Sequence, residues 1–208
     1  MNPLIYGGAV GTSYDPTMTL REARACYFQN NGFGEDGGYG AAWVDFKLGS
    51  VPMPFPNTKE RVRAVRYHDL HHILTDYRTD TLGEFEISAW EITAGCRDFW
   101  AAWVLNLAGV AAGSLVCPRR TYRAFAYGLG TRSLYGEDLE VQLARTVGEV
   151  RAERLPAGTI PSGVTVAARF LGTVVVGVAT IIALTVLVVA LVPFGVLAGW
   201  LRKRKVRA

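Results

Sequence analysis

The chain has 208 residues, of which half are hydrophobic, and its formal net charge at pH 7 is +4. This length is enough for one domain with a sizeable apolar core and one additional segment. Five of the 22 basic residues lie at or after Arg202, and the rest of the chain carries 17 basic against 18 acidic side chains. Since the basic excess is confined to this tail, we expect no nucleic-acid partner.

The cysteines and the N-terminus both favour a reducing compartment. Cys26, Cys96 and Cys117 are odd in number and form no Cys-x-x-Cys pair, so we expect no disulfide framework. The first eight residues contain neither the basic nor the apolar region of a signal peptide. The main domain is therefore expected on the cytoplasmic side.

The N-terminal part is predicted to be irregular except for one short helix. Residues 1–18 contain glycine and proline, and Thr19 followed by Glu22 is a capping box that opens the helix. Residues 30–40 are rich in glycine. No strand precedes them and no Gly-Lys-Ser/Thr follows, so they are interpreted as a connection and not as a phosphate-binding loop.

An extended stretch comes next. Residues 42–49 alternate in polarity as in a short strand or an extended arm. Residues 51–57 contain three prolines, each of which disfavours the helical region for the residue before it. We therefore expect extended backbone up to the next helix.

Two helices separated by a short polar break are predicted next. The first begins near Thr58 and contains His72, and the second runs from about Leu82 to about Leu107, after a cap formed by Asp80 or Thr81. Because the break between them is short, we expect the two helices to be antiparallel neighbours.

The remainder of the main domain is also expected to be largely helical. A glycine-rich continuation reaches Val116, and a helix is predicted from Arg119 to about Leu129. An amphipathic segment runs from Leu139 to Arg154, and residues 156–165 form a linker rich in proline and glycine.

The C-terminal segment is predicted to be a membrane anchor. No charged residue occurs from Phe170 to Leu201, a run of 32 residues, whereas about 20 apolar residues are enough to cross a bilayer. We assign residues 166–201 as one long tilted membrane helix that is kinked near Pro193. Residues 202–208 are a basic tail suited to anionic headgroups. The side of the membrane on which this tail lies stays open.

A cluster of potential metal ligands precedes and follows the polar break. His68, Asp69 and His72 fall on one face of the predicted helix, and Glu84 lies in the first turn of the next. Two imidazoles with carboxylates suit a divalent metal ion such as zinc, with iron or manganese as alternatives. The same spacing is compatible with solvated polar residues. His71 is either an outer partner of such a site or an exposed neighbour.

This pattern, His-Asp-x-x-His followed by eleven residues and Glu, resembles the metal motif of the coenzyme Q biosynthesis protein 4 family. The flanks are similar too, at residues 72–75, at residues 79–84 and from Leu134 to Leu139. The resemblance covers roughly residues 20–155. The long apolar C-terminal segment is not part of the family's pattern.

The resemblance implies a mostly helical, membrane-associated protein of ubiquinone synthesis with His68, Asp69, His72 and Glu84 as its metal motif. The family has been linked to oxidative removal of the carboxyl group from ring carbon 1 of a polyprenyl-benzoate precursor. It has also been described as an organiser of the biosynthetic complex. The implied partners are a polyprenyl lipid, the membrane and other quinone-biosynthesis proteins.

The sequence thus predicts a mainly α fold. Residues 1–155 form a helical domain with a metal site between two helices, and a C-terminal transmembrane helix follows. The expected function is metal-dependent oxidative decarboxylation, and the alternative is a membrane-anchored, lipid-binding scaffold with a structural metal. Four aromatic residues either line a cleft for the lipid tail or pack in the core: Trp90, Phe99, Trp100 and Trp103.

Overall fold

The computed structural model describes residues 14–44, 47–48, 51–52 and 55–206. These residues form four two-residue strands, β1 (Trp43–Val44), β2 (Lys47–Leu48), β3 (Val51–Pro52) and β4 (Phe55–Pro56), and eight helices: α1 (Leu20–Asn31), α2 (Lys59–Thr75), α3 (Thr81–Ala94), α4 (Trp100–Val116), α5 (Pro118–Gly128), α6 (Leu139–Leu143), α7 (Val147–Arg154) and α8 (Val164–Val206). The mainly α fold class is confirmed. The predictions for residues 1–13, for residues 45–46, 49–50 and 53–54 of the extended stretch, and for the last two tail residues lie outside the described residues.

Local sequence signals set where the first helices begin. The Thr19 hydroxyl accepts the backbone N–H of Glu22, whose carboxylate accepts the backbone N–H of Thr19, so the predicted capping box of α1 is confirmed. Thr58 caps α2 through the N–H of Arg61. Between these helices β1 pairs with β4 and β2 with β3, both antiparallel, which agrees with the extended backbone predicted for this part.

One predicted helix is in fact two. The expectation of a single helix from Leu82 to Leu107 is wrong, because α3 ends at Ala94 and α4 begins at Trp100. Gly95 has a φ of 107° and Arg97 a φ of 45°, and neither value is compatible with an α-helix. The apolar spacing continues through this break, and it concealed the break in the sequence.

The residues beyond the break also differ from the expectation in detail. The glycine-rich continuation up to Val116 is the second half of α4. The segment from Leu139 to Arg154 is divided into α6 and α7, because Thr146 forms a second capping box with Glu149 and starts a new helix. The linker precedes a helix that begins at Val164, two residues before the predicted start.

The core is built around α3, which packs against both α4 and α5. Trp90 of α3 is fully buried, and Gly128 of α5 lies directly against the Trp90 carbonyl. A Cβ atom added at Gly128 would stand 2.5 Å from that oxygen and closer still to the Thr93 hydroxyl. The absence of a side chain at Gly128 therefore sets the separation of these two helices.

We expect Gly128→Ala to destabilise the protein by about 1–3 kcal/mol, because the added methyl group has no space and the helices must separate. The measurement is the thermal unfolding midpoint of the detergent-solubilised chain. Gly130→Ala is the matched control, since a Cβ atom there would meet the Tyr127 carbonyl at 3.9 Å, an ordinary contact. Equal midpoints for the two variants would contradict the close packing of α3 and α5.

The C-terminal helix α8 has 43 residues and is about 65 Å long at 1.5 Å per residue. Its part from Val164 to Leu187 is long and apolar enough, by length and composition, to cross a membrane. Val166 and Phe170 are buried against the helical domain, and Phe170 packs on the rings of Tyr122 and Phe125 of α5. Most of its other described side chains up to Val189 are exposed and apolar.

Candidate metal centre

Two imidazoles and one carboxylate converge between α2 and α3. The Nε2 atoms of His68 and His72 are 3.1 Å apart, and each lies 3.3 Å from a different oxygen of Glu84. The two histidines are one helical turn apart on α2, and Glu84 is in the first turn of α3, whose first turn Asp80 caps. The predicted antiparallel arrangement therefore brings three of the four predicted residues into a group that could hold a metal ion.

Hydrogen bonds on the outer ring nitrogens orient both imidazoles towards this group. His72 Nδ1 lies 2.9 Å from the Tyr77 carbonyl oxygen, and His68 Nδ1 lies 3.0 Å from Glu91 Oε1. Since both oxygens accept, each Nδ1 carries the proton and donates it. The two Nε2 atoms then face each other, and a positive charge at this point, carried by a metal ion or by a proton on His68, offsets the repulsion between their lone pairs.

The spacing of the three ligand atoms fits a transition metal. An ion with tetrahedral bonds of about 2.0–2.1 Å holds its ligand atoms about 3.3–3.4 Å apart, close to the separations of 3.1 and 3.3 Å found here. The Glu84 side chain is 38% exposed, whereas that of His72 is 1% exposed, so the group is accessible from the Glu84 side. Three protein ligands beside an accessible position are typical of catalytic metal sites.

A buried carboxylate that the sequence did not reveal supports this group. Glu91 is fully buried on α3, and its Oε1 accepts hydrogen bonds from His68 and, at 2.6 Å, from His71. Its Oε2 accepts the Asn106 side-chain amide at 2.5 Å and the Tyr135 hydroxyl at 2.9 Å. Both oxygens are thus saturated by donors from three other parts of the fold. The spacing of seven residues from Glu84, two helical turns on one face, was the available signal.

The electrostatics of the group favour a bound cation. Burial alone would raise the pKa of Glu91, but the adjacent His68 and the imidazole hydrogen bonds hold it well below its usual range. Burial would likewise raise the pKa of Glu84, but His72 and His68 lower it to about 2. Burial would lower the pKa of His68, yet the two carboxylates raise it well above its ordinary value. Two ionised carboxylates therefore flank the paired imidazoles.

His71 is an outer partner of the site and not an exposed neighbour. It is fully buried, and its Nε2 accepts the backbone N–H of Leu134 at 2.8 Å. Its Nδ1 therefore carries the proton that is donated to Glu91, and no lone pair remains for a metal ion. Burial lowers the pKa of His71, which is consistent with a neutral imidazole.

Asp69 is close to the centre but outside the group of three. Its Oδ2 accepts the Tyr39 hydroxyl at 2.5 Å, and its Oδ1 lies 3.4 Å from the hydroxyl of Tyr27, whose ring stacks on His72. Burial raises the pKa of Asp69, partly offset by the hydrogen bond from Tyr39. Its assignment as a ligand stays a prediction, and its described contacts are those of a residue that positions the Tyr27 ring against His72.

The four aromatic residues proposed for a lipid cleft separate into two pairs. Trp90 and Phe99 are buried, and Phe99 packs on Tyr67 and Tyr135. Trp100 and Trp103, in contrast, are exposed on the first turn of α4. Core packing therefore accounts for the first pair only.

Comparisons of the chain with protein-family models, with curated proteins and with solved structures give no match. The resemblance to the coenzyme Q biosynthesis protein 4 family consequently depends on the sequence motif and its flanks. What the structure adds is a candidate metal centre of two histidines and one glutamate in a mainly helical domain that carries an apolar C-terminal helix.

Proposed function

We propose that the chain is a membrane-anchored, metal-dependent protein of ubiquinone biosynthesis. The reaction proposed is oxidative decarboxylation of a polyprenyl hydroxybenzoate-type precursor at ring carbon 1. The observation that carries the proposal is the group of His68, His72 and Glu84, in which three ligand atoms converge beside an accessible position. The motif resemblance supplies the substrate class.

The residues of the chain have distinct roles in this proposal. His68, His72 and Glu84 would hold one divalent ion, while Glu91 and the Tyr77 carbonyl fix the imidazoles through their Nδ1 hydrogen bonds. A bound ion would supply Lewis-acid polarisation of the precursor's carboxylate, which leaves ring carbon 1 as carbon dioxide. Two histidines and one carboxylate suit zinc, but they also form the ligand set of oxygen-dependent non-haem iron enzymes. Replacement of the carboxyl group by a hydroxyl group would consume dioxygen and two electrons from an external reductant and would release carbon dioxide and water. Because zinc has no redox states, this oxidative form of the reaction would need a redox-active ion such as iron.

The C-terminal helix supports a lipid substrate. A polyprenyl precursor resides in the membrane, and the segment from Val164 to Leu187 is able to keep the domain there. The unpaired cysteines, Cys26, Cys96 and Cys117, agree with a cytoplasmic location of the domain.

A second candidate function is a lipid-binding scaffold in which the metal is structural. Glu91 favours this alternative, because its hydrogen bonds join α2, α3, α4 and the segment that contains Tyr135. A metal ion bound to His68 would then stabilise the packing of these three helices and the Tyr135 segment against one another. Metal removal separates the alternatives: a scaffold would lose its folded structure, whereas an enzyme would stay folded and lose turnover.

The proposed reaction is tested in a strain that lacks the gene. We expect its lipid extract to contain an accumulated carboxylated, polyprenylated precursor and little ubiquinone. Wild-type protein should restore ubiquinone, whereas His72→Ala, which removes one of the three ligand atoms, should not. Glu60→Gln is the control, because Glu60 is exposed in the first turn of α2. Normal ubiquinone content in the deletion strain would refute the proposal.

A further inference from the structure

Helix α4 has an exposed apolar face that the core does not explain. No charged residue occurs from Trp100 to Val116. Leu105, Leu115 and Val116 are exposed, Leu115 by 85%, and at 100° per residue they lie within an arc of about 100°. Since the exposed side chains include the last two of the helix, this face extends to its C-terminal end. We refer to these three residues as the α4 face.

The α4 face is continuous with the surface of α8. Gly177 of α8 is in direct contact with the Leu107 carbonyl and with Ala111 of α4, so close that a Cβ atom at Gly177 would not fit. The two helices are therefore joined without intervening polar groups at this point. Leu171 and Val175 of α8 are exposed beyond the contact and extend the apolar surface.

Basic residues border this apolar surface at one end. Arg119 follows the α4 face within three residues and is exposed, and so is Arg123, one turn later on α5. Arg169 is exposed directly before Phe170, which packs against α5, and is the last charge before the uncharged run. An apolar surface bordered by exposed arginines complements a bilayer, whose hydrocarbon lies beneath anionic headgroups.

The geometry points to α4 as a second membrane-contact helix that enters the bilayer surface together with α8. This contact builds on the anchor function proposed for α8 and adds that the helical domain is itself partly embedded. The uncharged run of 32 residues in α8 exceeds the roughly 20 that a crossing requires, so that a first part of it is free to lie beside α4.

This arrangement brings the metal centre close to the lipid. At 100° per residue Asn106 lies about 180° around α4 from Leu115 and about 80° from Val116. Its amide donates to Glu91, which in turn accepts the proton of His68. Only the diameter of one helix, about 10–12 Å, therefore separates the α4 face from the hydrogen bonds that orient a metal ligand.

The test uses the full-length chain in vesicles of phosphatidylcholine and phosphatidylglycerol, with a polarity-sensitive fluorophore on single cysteines. Cys26 and Cys117 are replaced by serine, while Cys96 is buried and is retained. Labels are placed at Leu115, on the α4 face, and at Val175, on α8. Val141 of α6 is the matched control, because this valine is exposed like Val175 and its helix packs against α1.

We expect the label at position 115 to shift to shorter wavelength and to lose at least half of its emission in vesicles with brominated acyl chains. The label at position 175 should behave likewise, and that at position 141 should not respond. Quenching at 175 without quenching at 115 would overturn the α4 contact and leave the anchor intact. No quenching at either position would refute the anchor as well. A blue shift at 115 without quenching would indicate a protein partner, such as a second copy, and would also overturn the proposal.

Discussion

Glu91→Ala should destabilise the protein by about 3–5 kcal/mol, the cost typical of removing one partner from a buried charged network. The substitution leaves the donors of His71, Asn106 and Tyr135 without an acceptor in the core. It also removes the acceptor that holds the His68 imidazole in place. At about 2–4 °C per kcal/mol, the unfolding midpoint should decrease by about 6–20 °C.

The measurement is thermal unfolding in detergent, and two further variants make it specific. Glu60→Ala removes an exposed carboxylate from α2 and should change stability by no more than about 0.5 kcal/mol. Glu91→Gln preserves the shape of the side chain but replaces one carboxylate oxygen with an NH2 group. Each oxygen of Glu91 accepts two hydrogen bonds, so this NH2 group would face two other donors. This variant should therefore be destabilised to an intermediate degree. An unfolding midpoint for Glu91→Ala equal to that of Glu60→Ala would contradict the hydrogen-bonded network.

The second large effect is expected in metal affinity. His68→Ala and His72→Ala each remove a direct ligand and should weaken zinc binding by more than the roughly 10–100-fold that loss of an outer partner costs. Glu84→Gln should have a smaller effect, because the amide oxygen of glutamine is still able to bind the ion. The measurement is competition with a chromophoric chelator, using the folded full-length variants.

Asp69→Asn decides the role of the fourth predicted ligand. The Asp69 carboxylate is hydrogen-bonded to the hydroxyl groups of Tyr39 and Tyr27 and lies outside the group formed by His68, His72 and Glu84. We therefore expect a smaller loss of affinity than for Glu84→Gln, with Glu60→Gln as the unaffected control. A loss as large as that of His68→Ala would establish Asp69 as a direct ligand.

Sequence patterns that span only a few residues, such as helix caps and the spacing of side chains on a helix, made much of the fold predictable. Thr19 with Glu22 and Thr58 before α2 are local caps, and they form in the structure as the sequence indicates. The spacing of His68 and His72, one turn apart, brings their rings together on any helix. Only a short antiparallel connection was then needed to place Glu84 against them.

Features that depend on the approach of distant segments could not be predicted. The break after Ala94 requires positive φ values at Gly95 and Arg97, while the apolar pattern continues across it. The role of Glu91 depends on Asn106 and Tyr135, which reach it only in the folded core. A glutamate between Trp90 and Ile92 gives no indication of such partners, although its seven-residue distance from Glu84 was visible in the sequence.

His71 illustrates the same limit. In the sequence His71 stands between the potential ligands His68 and His72. This position left open whether its side chain is exposed or hydrogen-bonded to the metal site. The answer depends on the backbone N–H of Leu134, which is 63 positions away in the sequence and occupies Nε2. No periodicity within α2 contains this information.

Elemental analysis of the purified full-length protein tests the central claim most directly. After incubation with zinc and removal of unbound ion, the wild-type chain should retain about one zinc ion, as a single three-ligand centre implies. The His68→Ala/His72→Ala double variant should retain no zinc. A cooperative thermal unfolding transition should show that this variant is still folded. Equal metal content in the wild-type protein and in the folded double variant would contradict the assignment of His68, His72 and Glu84 as a metal centre.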